Sequence, residues 1–216
     1  PIYRDSFMDW DSRGVTVIQG YGLTETGPVI SSATPFNAAP GLVGKPVDGW
    51  ETTIKNGQLF VRGRHTMLGY LGQPEATQTR MSADGWLGTG DLVERDSTTQ
   101  QFRILGRVDD VIVLASGRKL HPAAIERDVE QIGGIEHALL HYQKGLQLWL
   151  NLENGIDLEA VQNNILKVLA QQHTTLNCTL HHFRPSLSIE SGELTAKGTI
   201  RRGRIVQDRL INQAGS

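Results

Sequence analysis

A short run near the start of the chain combines an aromatic ring, hydroxyl groups and a carboxylate. The run YGLTET occupies positions 21–26, directly after a glycine. A tyrosine ring can stack on a purine, a threonine hydroxyl can bond a phosphate oxygen, and a carboxylate can hold Mg²⁺ against phosphate charge. The run therefore predicts nucleotide chemistry at Tyr21, Thr24 and Glu25. The alternative interpretation is structural, because threonine and glutamate after a glycine also cap helices.

Three further charged residues lie in glycine-containing motifs downstream. Asp91 ends GWLGTGD, Arg107 is the second residue of GRVDD, and Lys197 lies in LTAKG. A carboxylate can accept hydrogen bonds from both ribose hydroxyls, and an arginine suits ribose or phosphate oxygens. A lysine stabilises the negative charge that develops when a carboxylate attacks an α-phosphate. For Lys197 the structural alternative is a solvated lysine ahead of a basic helix.

The elements that must position these residues change in character along the chain. The β-branched run VTVIQ at 15–19 predicts a buried strand that enters the YGLTET loop at its C-terminal end, where ligand loops of α/β folds commonly lie. From about residue 40 to 105, short strand-like pieces alternate with turns. Within them Asn56-Gly57 separates two apolar runs and predicts a hairpin. We interpret this part as a small antiparallel sheet or barrel.

After Gly106 the pattern becomes that of an α+β unit of roughly 110 residues, with a boundary near 107–110. Pro122 suits the first turn of a helix, and Lys144-Gly145 suits the turn between two strands. The predicted elements are strands at 111–114, 135–142, 146–152 and 179–183, and helices at 122 to about 132, 158 to about 172, and 200–211.

Composition narrows the class of protein. A hydrophobic content of 38% with 20% charged residues is typical of a soluble globular protein, and the net charge of −2 indicates neither a nucleic acid nor a membrane surface as partner. No stretch is long enough to span a bilayer, and no signal peptide opens the sequence. Cys178 is the single cysteine, so no internal disulfide forms; we expect it to pack in the core and expect a cytoplasmic protein.

The motifs YGLTET, GWLGTGD, GRVDD and LTAKG, in this order, resemble the adenylate-forming superfamily of acyl-CoA synthetases, luciferases and peptide-synthetase adenylation domains. The resemblance covers essentially the whole chain as the C-terminal portion of such an enzyme. It implies an α/β and α+β fold. Residues 1–106 would end the large AMP-binding domain, with a β-barrel-like subdomain at about 40–105. Residues 107–216 would form a small, mobile α+β domain.

The resemblance also implies a role for each motif residue of the large domain. The ligands would be ATP or AMP with Mg²⁺. Tyr21 would stack on adenine with Gly22 beside it, Thr24 would contact the phosphate, and Glu25 would bind Mg²⁺. Asp91 would hold the ribose hydroxyls.

The remaining roles belong to the junction and the small domain. Arg107 would contact the nucleotide, and Asp109 would be the hinge. Lys197 would be the adenylation lysine. Rotation of the small domain would then bring the segment LASGRK to the thioester-forming site. There Gly117 would let the pantetheine of coenzyme A approach the backbone, and Lys119 would hold nucleotide or CoA phosphates.

Two departures from the family pattern bear on these expectations. The family pattern usually has glycine directly before the lysine, whereas Ala196 precedes Lys197 here. We favour Lys197, but if the two arginines at 201–202 anchor the comparison, Thr199 takes the lysine position instead. The Gly/Ser/Thr-rich phosphate loop that the superfamily requires upstream is not among the 20 residues before Tyr21. We therefore expect this chain to be a fragment or a truncated gene product that cannot, on its own, form an adenylate from ATP.

The segment DVIVLASGRKLHPAAIE resembles acyl-CoA synthetases more than peptide-synthetase domains. The first hypothesis is therefore an acid–CoA ligase for a fatty or related carboxylic acid. The second is an adenylating enzyme that loads an acyl carrier protein. The third is a non-catalytic, nucleotide-binding remnant.

Overall fold

The structure is a computed structural model that describes residues 4–172 and 177–211. The chain folds as two compact units that divide after Asp110. Both units mix helices with sheets, as the sequence predicts. The elements of the first unit are α1 (Arg4–Ser12), β1 (Gly20–Tyr21), β2 (Ser31–Ser32), β3 (Lys45–Pro46), β4 (Trp50–Lys55), β5 (Gln58–Gly63), α2 (Pro74–Arg80), β6 (Leu87–Arg95) and β7 (Phe102–Arg107).

The hairpin predicted at Asn56-Gly57 is confirmed. Lys55 pairs with Gln58, and both turn residues have a positive φ, 51° at Asn56 and 82° at Gly57. Two successive positive φ angles define the type I′ turn, whose twist matches that of the flanking strands. Asparagine and glycine tolerate this conformation at little cost, which is why the pair marks the hairpin in the sequence.

The β-barrel-like subdomain is wrong, because the sheet that contains this hairpin is open. Its order is β4-β5-β6-β7, each strand antiparallel to its neighbour. In the described part of the chain the outer strands β4 and β7 do not pair with each other. The apolar face of the sheet is covered by side chains from the preceding loops, including Ile30 and Val43.

The predicted buried strand at 15–19 is also wrong. These residues have no regular secondary structure, and Val15 and Ile18 are 46% and 48% exposed. Pairing begins only at β1, which lies antiparallel to β2, and β2 lies antiparallel to β3. A β-branched run becomes a strand only where a neighbour satisfies its backbone groups. The YGLTET loop nevertheless begins at the end of a strand, because Tyr21 is the last residue of β1.

The second unit is built on a three-stranded sheet. Its elements are β8 (Ile112–Val113), β9 (Lys119–Leu120), α3 (Pro122–Glu130), β10 (Ile135–Tyr142), β11 (Leu146–Leu152), α4 (Leu158–Gln172), β12 (Cys178–His182) and α5 (Arg202–Ile205), which a π-helical stretch (Val206–Ile211) continues. Strands β10 and β11 are antiparallel, whereas β11 and β12 are parallel and are joined through α4. A parallel pair requires such a crossover.

Side chains alternate across this sheet, so each face has its own core. Ala138 and Leu140 pack on one face with residues of α3 and α4. Leu139 packs on the other face with Phe183 and Ile205. Cys178 is half-buried and lies against the first of these cores, as expected for a packing residue. The terminal helix begins at Arg202, two positions after its predicted start.

Candidate functional site

The YGLTET loop turns back sharply on itself after β1. A Cβ added to Gly22 would lie 1.7 Å from the carbonyl oxygen of Pro28, so only glycine fits there. The next residues form a 3₁₀ turn (Thr24–Thr26). Buried Thr26 closes it, since its hydroxyl accepts from the Leu23 N–H and donates to the Leu23 carbonyl, both at 2.9 Å. Thr26 thus caps the turn, whereas Thr24 is exposed.

Asp91 is the centre of a hydrogen-bonded group in the first unit. It is 6% exposed, on β6, directly opposite Arg107 on β7. The Tyr21 hydroxyl donates to Oδ2 of Asp91 at 2.6 Å, and Nη1 of Arg107 donates to Oδ1 at 2.9 Å. The Thr89 hydroxyl accepts from the Asp91 backbone N–H at 3.1 Å. The structure therefore brings together three predicted residues that are far apart in sequence.

The electrostatics of this group favour a fixed protonation pattern. Burial and the neighbouring Asp91 charge raise the pKa of the Tyr21 hydroxyl well above its usual value. Burial acts to lower the pKa of Arg107, but its charge pairing and hydrogen bond with Asp91 outweigh this and raise it. Tyr21 and Arg107 consequently remain donors at neutral pH, and the oxygens of Asp91 accept their hydrogen bonds.

Glu25 is held by a residue outside the four motifs. The Tyr70 hydroxyl donates to Oε1 of Glu25 at 2.6 Å, and the Met67 N–H donates to the Glu25 carbonyl at 2.8 Å. The bond from Tyr70 lowers the pKa of the Glu25 carboxyl, so it is ionised at neutral pH. Sequence analysis missed Tyr70; the available signal was an aromatic residue between Gly69 and Gly72.

Glu25 fits the predicted role of a magnesium ligand. Its carboxylate is ionised, and Tyr70 engages one of its two oxygens. Over residues 4–172 and 177–211, no three histidine, cysteine, aspartate or glutamate side chains cluster in a way that would hold a metal ion. A single carboxylate is nevertheless sufficient for Mg²⁺ in nucleotide sites, because phosphates and water supply most of its ligands.

Asp109 lies in an exposed turn after β7. The turn begins where the Val108 N–H donates to the Gly90 carbonyl at 2.9 Å, and it includes a longer bond, 3.3 Å, from the Asp110 N–H to the Arg107 carbonyl. The division between the two units falls one residue beyond Asp109.

In the second unit, the predicted CoA-facing residues lie in and beside a tight turn. The Gly117 N–H donates to the Leu114 carbonyl at 2.8 Å, and Gly117 has a φ of +80°. A Cβ at Gly117 would meet no atom within 4 Å, so the space beside it is open. Lys119, on β9, is exposed.

Lys197 lies at the exposed tip of a short hairpin. Leu194 and Ile200 pair at the base of the hairpin, and the Thr195 N–H donates to the Thr199 carbonyl at 2.9 Å. Thr199, the alternative to Lys197, is also exposed but is on the returning arm, where its N–H donates to the Thr195 hydroxyl. Of the two, only Lys197 carries a positive charge to the tip.

None of the helices in the described part of the chain combines the length and apolar character needed to cross a bilayer.

Comparison with known proteins identifies relatives of this chain. No protein-family model matches the chain. A long-chain-fatty-acid–CoA ligase of Haemophilus influenzae is 39% identical over 167 residues, which cover 71% of this chain and 27% of that enzyme. The ligase of the same description from Yersinia pestis is 33% identical over 181 residues, 77% of this chain and 30% of that enzyme. The matches thus span less than a third of the length of these curated relatives.

A solved structure shows the same fold. The O-succinylbenzoate coenzyme A synthetase of Bacillus subtilis, in complex with AMP, superposes with a TM-score of 0.79 at 21% identity, over 95% of this chain and 44% of the synthetase. That synthetase has also been solved with ATP and a magnesium ion. By sequence and by fold, the chain is homologous to the C-terminal portion of the adenylate-forming enzymes, with long-chain-fatty-acid–CoA ligases among its relatives.

Proposed function

We propose that the chain is the C-terminal part of an AMP-forming acid–CoA ligase that activates a fatty acid. The observation that carries this proposal is the Asp91 carboxylate, buried and held between the Tyr21 hydroxyl and the Arg107 guanidinium. The names of the relatives support the substrate class, since they include fatty-acid–CoA ligases.

The nucleoside would bind around Asp91. Each of its oxygens accepts one bond in the structure, from Tyr21 or Arg107, and a carboxylate has about four acceptor positions in all. The remaining positions suit the two ribose hydroxyls. The ring of Tyr21 would stack on adenine, and the bond from its hydroxyl to Asp91 would hold the ring in place. Gly22 would keep the loop close to the ring.

The phosphates would lie toward the 3₁₀ turn. The exposed hydroxyl of Thr24 would bond a phosphate oxygen, and Glu25, oriented by Tyr70, would hold Mg²⁺. Bound there, Mg²⁺ would screen the phosphate charge. Arg107 would contact the nucleotide from the strand end.

In the first half-reaction, an oxygen of the acid attacks the α-phosphorus of ATP, and pyrophosphate leaves with the bonding electrons. The product is the acyl-adenylate. Lys197 would supply positive charge to the phosphate while negative charge accumulates on it. Its place on an exposed hairpin tip suits a group that enters the site for one step and then leaves.

In the second half-reaction, the thiol of coenzyme A attacks the acyl carbonyl, the thiol proton goes to solvent, and AMP leaves. Backbone rotation near Asp109 would remove Lys197 from the reacting groups and bring the turn at Gly117 to them instead. The open space beside Gly117 would admit the pantetheine, and Lys119 would pair with phosphates.

Acid-dependent ATP–pyrophosphate exchange tests the proposal. We would assay the full-length protein that carries these residues against fatty and aryl acids. We expect exchange with fatty acids and acyl-CoA formation when CoA is added. Exchange followed by transfer only to an acyl carrier protein would replace the acceptor. AMP binding without exchange for any acid would leave a nucleotide-binding protein and overturn the proposed activity.

A further inference from the structure

A second arginine approaches the candidate site from outside the four motifs. Arg80 is the last residue of α2, and its Nη1 comes within 3.5 Å of the Gly88 carbonyl oxygen. A Cβ built on Gly90 would lie 2.6 Å from Nη1 of Arg80 and 2.8 Å from Nη2 of Arg107. Two guanidinium groups therefore approach one point above the Gly90 backbone.

Glycine is required at this point for two reasons. Gly90 has a φ of +74°, which other residues adopt only with strain. A side chain there would also occupy the space that both guanidinium groups reach. The backbone of β6 thus admits two arginines next to Asp91, the residue that we assign to the ribose.

The two arginines differ in their partners. Arg107 forms a salt bridge with Asp91, whereas in the described part of the chain no carboxylate lies within salt-bridge distance of Arg80, and the more distant charge of Glu25 acts on it. Both arginine side chains are half-buried, so water screens their mutual repulsion only partly. Two cations held this close are stabilised by an anion that contacts both.

The surroundings leave Arg80 accessible to a ligand. A cavity of about 330 Å³ is lined by Tyr70, Gln73, Ala76, Thr79 and Arg80. Tyr70 also bonds Glu25, the predicted magnesium ligand, so Arg80 lies on the side of the site where the phosphates are expected. The Arg80 charge acts on Glu25 too, contributing to its lowered pKa.

We propose that Arg80 is a phosphate-binding residue that forms, with Arg107, a two-arginine cradle above Gly90 for a nucleoside 5′-phosphate. The proposal rests on the proposed function, because the nucleoside position assigned to Tyr21 and Asp91 places the phosphate. Neither the four motifs nor the roles they imply include Arg80.

Equilibrium binding of AMP and of adenosine separates the phosphate contact from the nucleoside contact. Calorimetry would compare the full-length protein that carries these residues with its Arg80→Gln and Arg80→Lys variants. The control is Arg13→Gln, which removes an exposed arginine paired with Asp9. We expect Arg80→Gln to weaken AMP binding roughly tenfold and to leave adenosine binding unchanged, since a charge-assisted hydrogen bond is lost. The AMP affinity of Arg80→Lys should lie between those of the unsubstituted protein and Arg80→Gln, because lysine keeps the positive charge but not the planar guanidinium group.

The outcomes distinguish this proposal from the proposed function. If Arg80→Gln binds AMP as tightly as the unsubstituted chain, the cradle is overturned while the nucleotide site stands. Equal weakening of AMP and adenosine, with a lower melting temperature of the ligand-free variant, would make Arg80 a packing residue instead. If the unsubstituted full-length protein binds neither ligand, the nucleotide site fails and the cradle fails with it.

Discussion

The candidate residues of the two units are held in opposite ways. In the first unit, Tyr21 and Arg107 are both bonded to Asp91, which is buried. In the second unit, Lys119 and Lys197 are exposed on turns or short strands. Groups that recognise a bound nucleotide benefit from a fixed geometry, because less motion is lost on binding. A group that acts in one step benefits from a position that it can leave without exposing a core.

Two glycines give the sharpest test of this contrast. Gly22→Ala would place a methyl group 1.7 Å from the Pro28 carbonyl, whereas Gly117→Ala meets no atom within 4 Å. We expect the free energy of unfolding to fall by about 3 kcal/mol for the first and by about 1 kcal/mol for the second, where only the positive φ is unfavourable. Urea denaturation measures both. Equal losses would mean that the two loops are equally constrained.

Removal of the Lys197 ammonium should affect chemistry and not stability. In the full-length protein we expect Lys197→Ala to slow acid-dependent pyrophosphate exchange by about a hundredfold, because transition-state charge loses a partner. The melting temperature should not change, since Lys197 is exposed. Lys167→Ala, another exposed lysine, is the control. A hundredfold loss in Thr199→Ala with normal exchange in Lys197→Ala would transfer the role to Thr199.

Asp91→Asn should affect stability as well as binding. It leaves the half-buried Arg107 without its salt-bridge partner, and we expect a loss of about 2 kcal/mol in the free energy of unfolding. AMP binding should weaken in parallel. Asp48→Asn, at an exposed position of the same unit, should change neither quantity. Full stability in Asp91→Asn would show that the group is not preorganised by this carboxylate.

The tip of the Lys197 hairpin is exposed, but its base is fixed by an ion pair. Arg209 donates to both oxygens of Glu193, and the Arg201 N–H donates to the Glu193 carbonyl at 2.8 Å. Burial acts to raise the pKa of Glu193, but the bonds from Arg209 and Ser191 outweigh it and lower the pKa below the ordinary value of 4.5. The pair therefore stabilises the fold above that value, and its contribution disappears as the pH falls through the lowered pKa.

Comparison with Glu193→Gln isolates this contribution. We expect the variant to be about 1 kcal/mol less stable near neutral pH and to approach the unsubstituted chain as the pH falls below 4.5 and through the lowered pKa of Glu193. Chemical denaturation across this pH range measures the difference. A difference that does not change with pH would show that the ion pair does not titrate in this way.

Local patterns predicted the second unit better than the first. The bounds of β10 and β11 agree with prediction, because alternating apolar residues flank Lys144-Gly145. The helix α4 agrees for the same kind of reason, a consistent apolar face. By contrast, the strand expected at 15–19 depended on a neighbour that the run itself does not specify.

The sequence offered candidate residues for the site but not the contacts between them. The motifs identified Tyr21 and Asp91, but the bond between their side chains joins positions 70 residues apart. Tyr70 and Arg80 were missed altogether. Each is defined by what it reaches in three dimensions, Glu25 or Gly90, and no spacing rule links those positions.

The pairing of Asp91 with Arg107 across β6 and β7 has a consequence for the order in which the site forms during folding. These residues are 16 positions apart and meet when one hairpin closes, whereas Glu25 and Tyr70 are 45 apart and Tyr21 and Asp91 are 70 apart. Loop closure costs more entropy as the loop lengthens, and distant contacts form slowly. Asp91 and Arg107 should therefore associate early, and Tyr21 should join them last.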